Sequence, residues 1–293
     1  MTKIITLKKK CSNGKTLYAS YAPEKGMNLI SYKQDKLEII DQSTTQEFEQ
    51  RCAGLGALIG PHFYHLKDED LPPPIDENLF PHIAKERAKG NRDVFSHGIA
   101  RYVPWNYTHD ETSISARISS IDSYEGYLLS ALEGSNFVMT YEATLKEEGL
   151  DINLSVKSEK HGIVGLHYYY ALQGNDARVR SVVENVYNEM GEFKPLPDEW
   201  TENDINHLNF DLHQEADYGF LPFSQSNQAT IILENETYDV KIQSNTGNEE
   251  HSWQLWHPYE SSFACIEPLS AKNPRGTIPK DGFLNVKISI HEK

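Results

Sequence analysis

The sequence predicts an all-β chain, an antiparallel β-sandwich or barrel with few short helices. Three observations predict it. Apolar and polar residues alternate over many short stretches, the period of a half-buried strand. Turn-forming residues separate those stretches at short intervals. Helical periodicity is rare. The 293 residues are enough to close a core without disulfides. No composition shift marks a linker, so residues 1–293 are read as a single domain.

The elements follow in order. Residues 16–21 and 27–32 read as an opening strand pair. Residues 137–145 lead through Lys146-Glu147-Glu148-Gly149 into a second strand. There Leu150, Ile152, Leu154 and Val156 alternate with Asp151, Asn153 and Ser155. Residues 230–233 and 238–242 flank another hairpin, and Leu284, Val286, Ile288 and Ile290 repeat the alternation near the C-terminus. Two segments depart from the pattern. Residues 67–92 are charged, carry Pro72-Pro73-Pro74 and end in a short helical stretch, 80–89. Residues 187–213 are acidic and hold Pro195, Pro197 and Trp200. Both are expected as long loops, which in a β domain often rim a site.

Composition narrows the function classes. The net charge of −15 speaks against nucleic acid and anionic membranes as partners. Cys11, Cys52 and Cys265 are odd in number and share no short spacing, which argues against a disulfide framework and for a reducing compartment. With no signal peptide and no long apolar run in view, a cytoplasmic protein is expected. No dimerisation signal is visible, so a monomer or a weak homodimer is expected.

Phe263, Ala264, Cys265 and Ile266 form an uncharged run that Glu267 breaks, and Pro268 cannot donate to a strand ladder. A carboxylate at the end of a buried strand is costly unless paired or used, and burial raises its pKa towards that of a neutral-pH base. Four further clusters punctuate the strands: Gly54 to His65, Phe95 to Arg101 followed by Trp105, Gly165 to Leu172, and Glu215 to Phe220. The first is no dinucleotide fingerprint, because no helical pattern follows it; its glycines suit close backbone packing. Taken singly, each cluster has an ordinary structural reading. His167 beside tyrosines suits a core, Arg101 an ion pair, and Asp217 a turn.

In order and local context these clusters resemble the aldose 1-epimerase, or galactose mutarotase-like, family. His97-Gly98 is similar to the family's His-Gly element. Its extension through Ile99-Ala100-Arg101 and Trp105 resembles the hexose-6-phosphate epimerase branch. Gly165-Leu166-His167-Tyr168-Tyr169 resembles the strand of the second histidine. Asp217-Tyr218-Gly219-Phe220 resembles an Asp-x-x-Phe element. Trp256 and Pro258, then Cys265-Ile266-Glu267-Pro268, resemble the C-terminal signature. The resemblance spans residues 54–290. Tyr64 and His65 stand where the family often has an Asn-Arg pair.

The resemblance implies a galactose mutarotase-like supersandwich that interconverts the α and β anomers of a hexose by ring opening and reclosure. It implies Glu267 as base, His167 as acid and His97 as a group stabilising the ring oxygen. Asp217, Arg101, His65, Trp105 and Tyr168 are the expected substrate contacts, with Tyr64 and Trp256 as further aromatic candidates for the sugar face. No cofactor is expected, and the spacings of His62, His65, His82, His97 and His167 suggest no metal. Three alternatives stay open. One is a phosphorylated hexose as substrate, bound by Arg101 with Arg92 or Lys85. The second is a non-catalytic carbohydrate-binding protein. The third is a polysaccharide-cleaving enzyme using Asp217 and Glu267.

Overall fold

The computed structural model describes residues 2–65, 71–72, 74–174, 176–202, 204–223 and 228–293, without the side chains of residues 204 and 205. Its architecture is mostly antiparallel β-sheet with few short helices. Strands 16–22 and 28–34 pair antiparallel, and with 5–10 and 37–38 they form a four-stranded N-terminal sheet. The remaining large sheet folds into two halves that share the long strand Arg178–Glu189. Its first residues pair with Gln228–Glu234, and its last with Ala216–Pro222 across a register shift between Val183 and Tyr187.

The back half continues from Gln228–Glu234 through Tyr238–Asn245, Asp281–Glu292, Gly149–Ser158, Phe137–Lys146 and Ser113–Ser119 to Asn106–His109. Here the alternation is read directly. Ile152 and Leu154 face inward beside Ala143 and Tyr141, and Lys146 pairs with Gly149 across a tight turn. The front half runs Gly56–Ile59, Gly165–Ala171, Phe263–Leu269, Ser252–His257, Ala216–Pro222 and Arg178–Glu189. This front half carries the site.

One hydrophobic cluster draws on residues from Ile5 to Ile290. Three tyrosines mark its centre, one from each sheet region. The Tyr141 hydroxyl lies 3.2 Å from that of Tyr21 and 3.3 Å from that of Tyr168. Buried hydroxyls need partners, and these rings satisfy one another.

Two expectations are corrected. Residues 187–213 are not a long loop. They complete the strand to Glu189, return as Glu192–Pro195, make the 3-10 turn Asp198–Trp200, and pair back on residues 178–182 through the strand 204–211. Glu192, Phe193 and Pro195 are exposed, so no apolar alternation announced this ribbon. The strand of Glu267 also does not stop there but runs to Leu269. On one side Pro268 pairs in register with Trp253. On the other, the registered pairs step from Gly165–Leu269 to Tyr168–Ile266, and the rungs between belong to Pro268 and Glu267. The missing proline donor is accommodated by that interruption.

In the charged segment, residues 67–70 and 73 lie outside the described residues. The helix forms at Pro81–Ala88, with proline in its first turn, where no N–H is needed. Phe80 and Ile83 anchor it in the core, and Glu86 is buried against Arg51.

Candidate active site

Residues two apart on a strand share a face. Sheet register therefore lays the front half out in rungs. One rung runs Asn188–Gly219–Gln254–Glu267, and the pairing puts His167 opposite Glu267 with Ala57 beyond it. The next rung on the same face runs Asp217–Trp256–Cys265–Tyr169. Gly219 leaves room here for the Gln254 amide, which a Cβ would meet at 2.6 Å. Three strands thus deliver His167, Glu267 and Gln254 to one surface from sequence positions far apart.

A loop closes over that surface. His97 sits at φ +69°, a left-handed conformation that costs a non-glycine residue about 1–2 kcal/mol. Two backbone bonds hold it there. The His97 N–H donates to the Phe63 carbonyl at 2.7 Å, and the Gly60 N–H donates to the His97 carbonyl at 2.9 Å. Gly98 follows at φ +86°, where a Cβ would lie 2.0 Å from the Gly60 carbonyl oxygen. The short turn Ile99–Arg101 then brings in Arg101, buried, with its Nε donating to the Leu58 carbonyl at 3.3 Å.

The result is a cavity of about 210 Å³. His167 Nε2 lies 3.3 Å from Glu267 Oε1, both side chains being nearly inaccessible to solvent. Tyr169 stacks on the His167 ring at 5.0 Å, and His97 meets it edge-on at 5.4 Å. Two buried donors, Arg101 Nη2 and Asn188 Nδ2, have no hydrogen-bond partner among the described residues. Unpaired buried donors are expensive, and both stand in the cavity wall, where a ligand oxygen can satisfy them.

No protein-family model matches this sequence, and no curated protein does. Solved structures do match over nearly the whole chain. A galactose mutarotase-like protein from Lactobacillus casei ATCC 334 is 13% identical, with a TM-score of 0.68 over 99% of this chain and 100% of its own. An Escherichia coli K12 protein, provisionally described as an aldose 1-epimerase, is 15% identical with a TM-score of 0.65, over 99% and 100%. A galactose mutarotase related enzyme from Lactobacillus acidophilus is 13% identical with a TM-score of 0.62, over 98% and 97%. The fold is galactose mutarotase-like.

Within this galactose mutarotase-like sandwich, the cavity sets its own protonation states. Burial pushes the Glu267 carboxyl up to about 8, against the opposing charge of Arg101 and with the help of Asp217. Burial and then the nearby Arg101 and Arg51 charges hold His167 well below the ordinary imidazole range. His97 is lowered in the same way by burial, Arg101 and His167. Near neutral pH the resting pair of Glu267 and His167 therefore carries one proton, on the carboxyl. The donor atoms of His97, His167 and Glu267 all lie within 4.8 Å of one another, a spacing that a cation could bridge. Their surroundings fit a cation poorly. Among the described residues no carboxylate holds the outer ring nitrogens: His97 Nδ1 shares a hydrogen bond with Ser96 Oγ, and His167 Nδ1 has no hydrogen-bond partner there. Arg101 adds a repelling charge.

The sequence-predicted site residues divide into two groups. Glu267, His167, His97, Asp217 and Arg101 all line the cavity, with Asp217 at its exposed rim. Three do not. Tyr168 is adjacent to His167 on a strand, so it points to the opposite face and into the tyrosine cluster of the core. Trp105 is buried behind the loop, its Nε1–H donating to the Ala100 carbonyl at 2.9 Å. His65 is buried outside the cavity wall, stacked on His62 with ring centroids 3.6 Å apart. Of the aromatic candidates Tyr64 and Trp256, only Trp256 is in the lining. Arg92 and Lys85 are not in it, whereas Lys89 and Arg275 are. Sequence reasoning missed Tyr169, Asn188, Gln254 and Arg275. Strand alternation from His167 would have found Tyr169. Asn188 and Gln254 needed the cross-strand register, and Arg275 comes from the turn between the last two strands.

Proposed function

We propose that this protein is an aldose 1-epimerase, interconverting the α and β anomers of a hexose by acid–base ring opening and reclosure. The observation that carries the reading is the contact of His167 with Glu267 at 3.3 Å at the floor of a cavity lined by hydrogen-bonding groups.

Ring opening of a pyranose needs a base at the C1 hydroxyl and an acid at the ring oxygen. Those two oxygens share one carbon, so groups 3.3 Å apart can address one each. The base must be empty and the acid loaded, so the pair must carry one proton in total. That is its state between the low pKa of His167 and the value of about 8 for Glu267. A proton resting on Glu267 and one placed on His167 are the same overall charge state, and transfer between them needs no exchange with solvent. In the working state Glu267 takes the C1 hydroxyl proton and His167 gives one to the ring oxygen. The C1–O5 bond breaks, the aldehyde forms, and rotation about C1–C2 presents its other face. Reclosure returns both protons. Each proton-transfer partner supplies about a hundred- to ten-thousandfold. Arg101 Nη2 is a fixed donor for an oxygen that gains charge, and Trp256 offers an aromatic edge to the sugar.

A second reading keeps the reaction and gives it a phosphorylated hexose. Its support is Arg275, whose guanidinium lies over the Phe63 and Tyr64 rings at 5.7 and 5.9 Å and makes no ion pair among the described residues. An unpaired guanidinium at a cavity wall suits a phosphate. Arg101, buried beside Glu267, belongs to the reaction centre in either case. NMR saturation transfer between anomers of glucose, galactose and a hexose 6-phosphate tests both. Exchange above the buffer rate with any of them supports the proposal, and the preferred sugar separates the readings. Binding without exchange would leave a carbohydrate-binding protein.

A further inference from the structure

At the end of the cavity away from Glu267 stands a donor to which the reaction above gives no role. The Asn188 side chain is buried, and its Nδ2 has no hydrogen-bond partner among the described residues. Its orientation is fixed. Asn188 Oδ1 accepts the Gly191 N–H at 2.8 Å across the hairpin turn Met190-Gly191. A backbone N–H bonds only to the oxygen of an amide, so Nδ2 points the other way, into the wall of the cavity that Asn188 lines. The turn is itself braced, because Asn273 Nδ2 donates to the Gly191 carbonyl at 3.1 Å.

Sheet register gives the span from this donor to the reaction centre. Asn188 lies three strands from Glu267, on the rung Asn188–Gly219–Gln254–Glu267. Neighbouring strands are about 4.7–4.9 Å apart, so the two backbones stand roughly 14 Å from each other. A hexose with C1 at Glu267 therefore meets Asn188 only with its opposite end. Asp217 is the diagonal neighbour of Asn188 on the next strand and also lines the cavity; such neighbours are roughly 7–8 Å apart. An oxygen seated between the two is offered a donor on one side and a carboxylate on the other. A hydroxyl uses both, because it accepts and donates, whereas a phosphate oxygen accepts only and is repelled by the carboxylate.

We infer that Asn188 is a specificity-determining residue at the far end of the cavity: its Nδ2–H donates to the C4 hydroxyl oxygen of a hexose, and that hydroxyl donates in turn to Asp217. C4 is the ring carbon opposite C1, so its hydroxyl is the ring substituent that a donor three strands away meets. The inference rests on the epimerase reading, which places C1 at Glu267. A sugar with this hydroxyl satisfies a donor that the fold leaves buried without a partner among the described residues. A sugar lacking it leaves that donor unpaired beneath the bound ring, which is how a site rejects a deoxy analogue.

The test measures calorimetric binding and anomer exchange by the full chain with glucose and galactose, and with the 4-deoxy and 6-deoxy analogues of whichever binds better. In the wild type the 4-deoxy sugar should bind about 5- to 150-fold more weakly than its parent, as leaving a buried donor unpaired does, and the 6-deoxy sugar should lose much less. Asn188→Ala should weaken the parent sugar by a similar factor and no longer distinguish it from the 4-deoxy analogue. Equal losses on both sugars would mean that Asn188 acts only through its turn, and would overturn the inference. So would a wild type that binds the two alike, or one in which only the 6-deoxy sugar suffers. A wild-type crystal soaked with the parent sugar decides even if the variant fails to fold: the C4 oxygen is expected within hydrogen-bonding distance of Asn188 Nδ2, and any other placement contradicts it. If the binding pattern holds without anomer exchange, the reaction fails and the contact stands; if exchange occurs without the pattern, the reaction stands and the contact fails. Failure of every sugar to bind overturns both.

Discussion

Two buried clusters of histidine and carboxylate among the described residues are built in opposite ways. Around His62, both ring nitrogens are occupied by carboxylates, and no side chain of the cluster lines the cavity. Around His167, one nitrogen faces a single carboxyl, the other has no hydrogen-bond partner among the described residues, and the pair opens onto the cavity. Position decides which chemistry each supports. Two carboxylates favour a fixed positive charge on His62; burial would lower its pKa, but Glu133 and Asp93 lift it to about 10. The cations Arg101 and Arg51 add to burial in disfavouring charge on His167, which leaves its proton free to move. A histidine saturated by acids holds a structure together, whereas an under-saturated one beside a cavity is available to a substrate.

The sharpest way to break that contrast is His167→Asn. It removes one member of the exchanging pair, and anomer exchange should fall about a hundred- to ten-thousandfold while the protein stays folded, as saturation transfer and circular dichroism would report. Asp93→Asn should do the reverse. Breaking the buried clasp around His62 should cost about 3–5 kcal/mol, read as a lowered denaturant midpoint. If the two substitutions had the same effect, the clusters would not differ in kind.

Stability should also reveal the strained carboxyl. Glu267 binds its proton more tightly when folded, with a value of about 8 against 4.5 for the free side chain. Its contribution is therefore fully present below pH 4.5 and is lost as the pH rises through 8. Glu267→Gln removes that dependence. The variant should gain on the wild type by about 1.4 kcal/mol per pH unit across this window, measured by urea denaturation at several pH values. A constant difference would mean that the carboxyl is not perturbed. The smallest effect is expected at the rim. Arg275→Ala should lower kcat/KM for a hexose 6-phosphate by about tenfold or more, as loss of a charged hydrogen bond does, and leave a free hexose nearly unchanged. Equal losses on both sugars would remove the phosphate reading.

The sequence disclosed these regions unevenly. Strand alternation was legible wherever one face was buried, as in Leu150 to Val156 and its partner at Phe137 to Leu145. It failed for residues 192–211, where exposed acidic positions hide the period. At the site, motif order led to His97, Arg101, His167, Asp217 and Glu267, which the fold gathers in one cavity. The choice of Tyr168 over Tyr169 ignored a rule already available, since neighbours on a strand face opposite ways. Trp105 was misread because its indole N–H finds a backbone carbonyl five residues back. Asn188 and Gln254 reach Glu267 only through cross-strand pairing, which no local pattern encodes. The clasp around His62 was hidden for a related reason: Asp93 lies in a loop and Glu133 ends the short helix Leu129–Glu133, both far from His62 along the chain.

The proposed reaction requires one proton shared by Glu267 and His167, and the pH dependence of anomer exchange by the wild-type protein measures it. With solvent-catalysed exchange subtracted, kcat/KM should hold level through neutrality and fall as the pair loses its proton around pH 8. A rate that climbs through pH 8 would contradict the shared-proton mechanism.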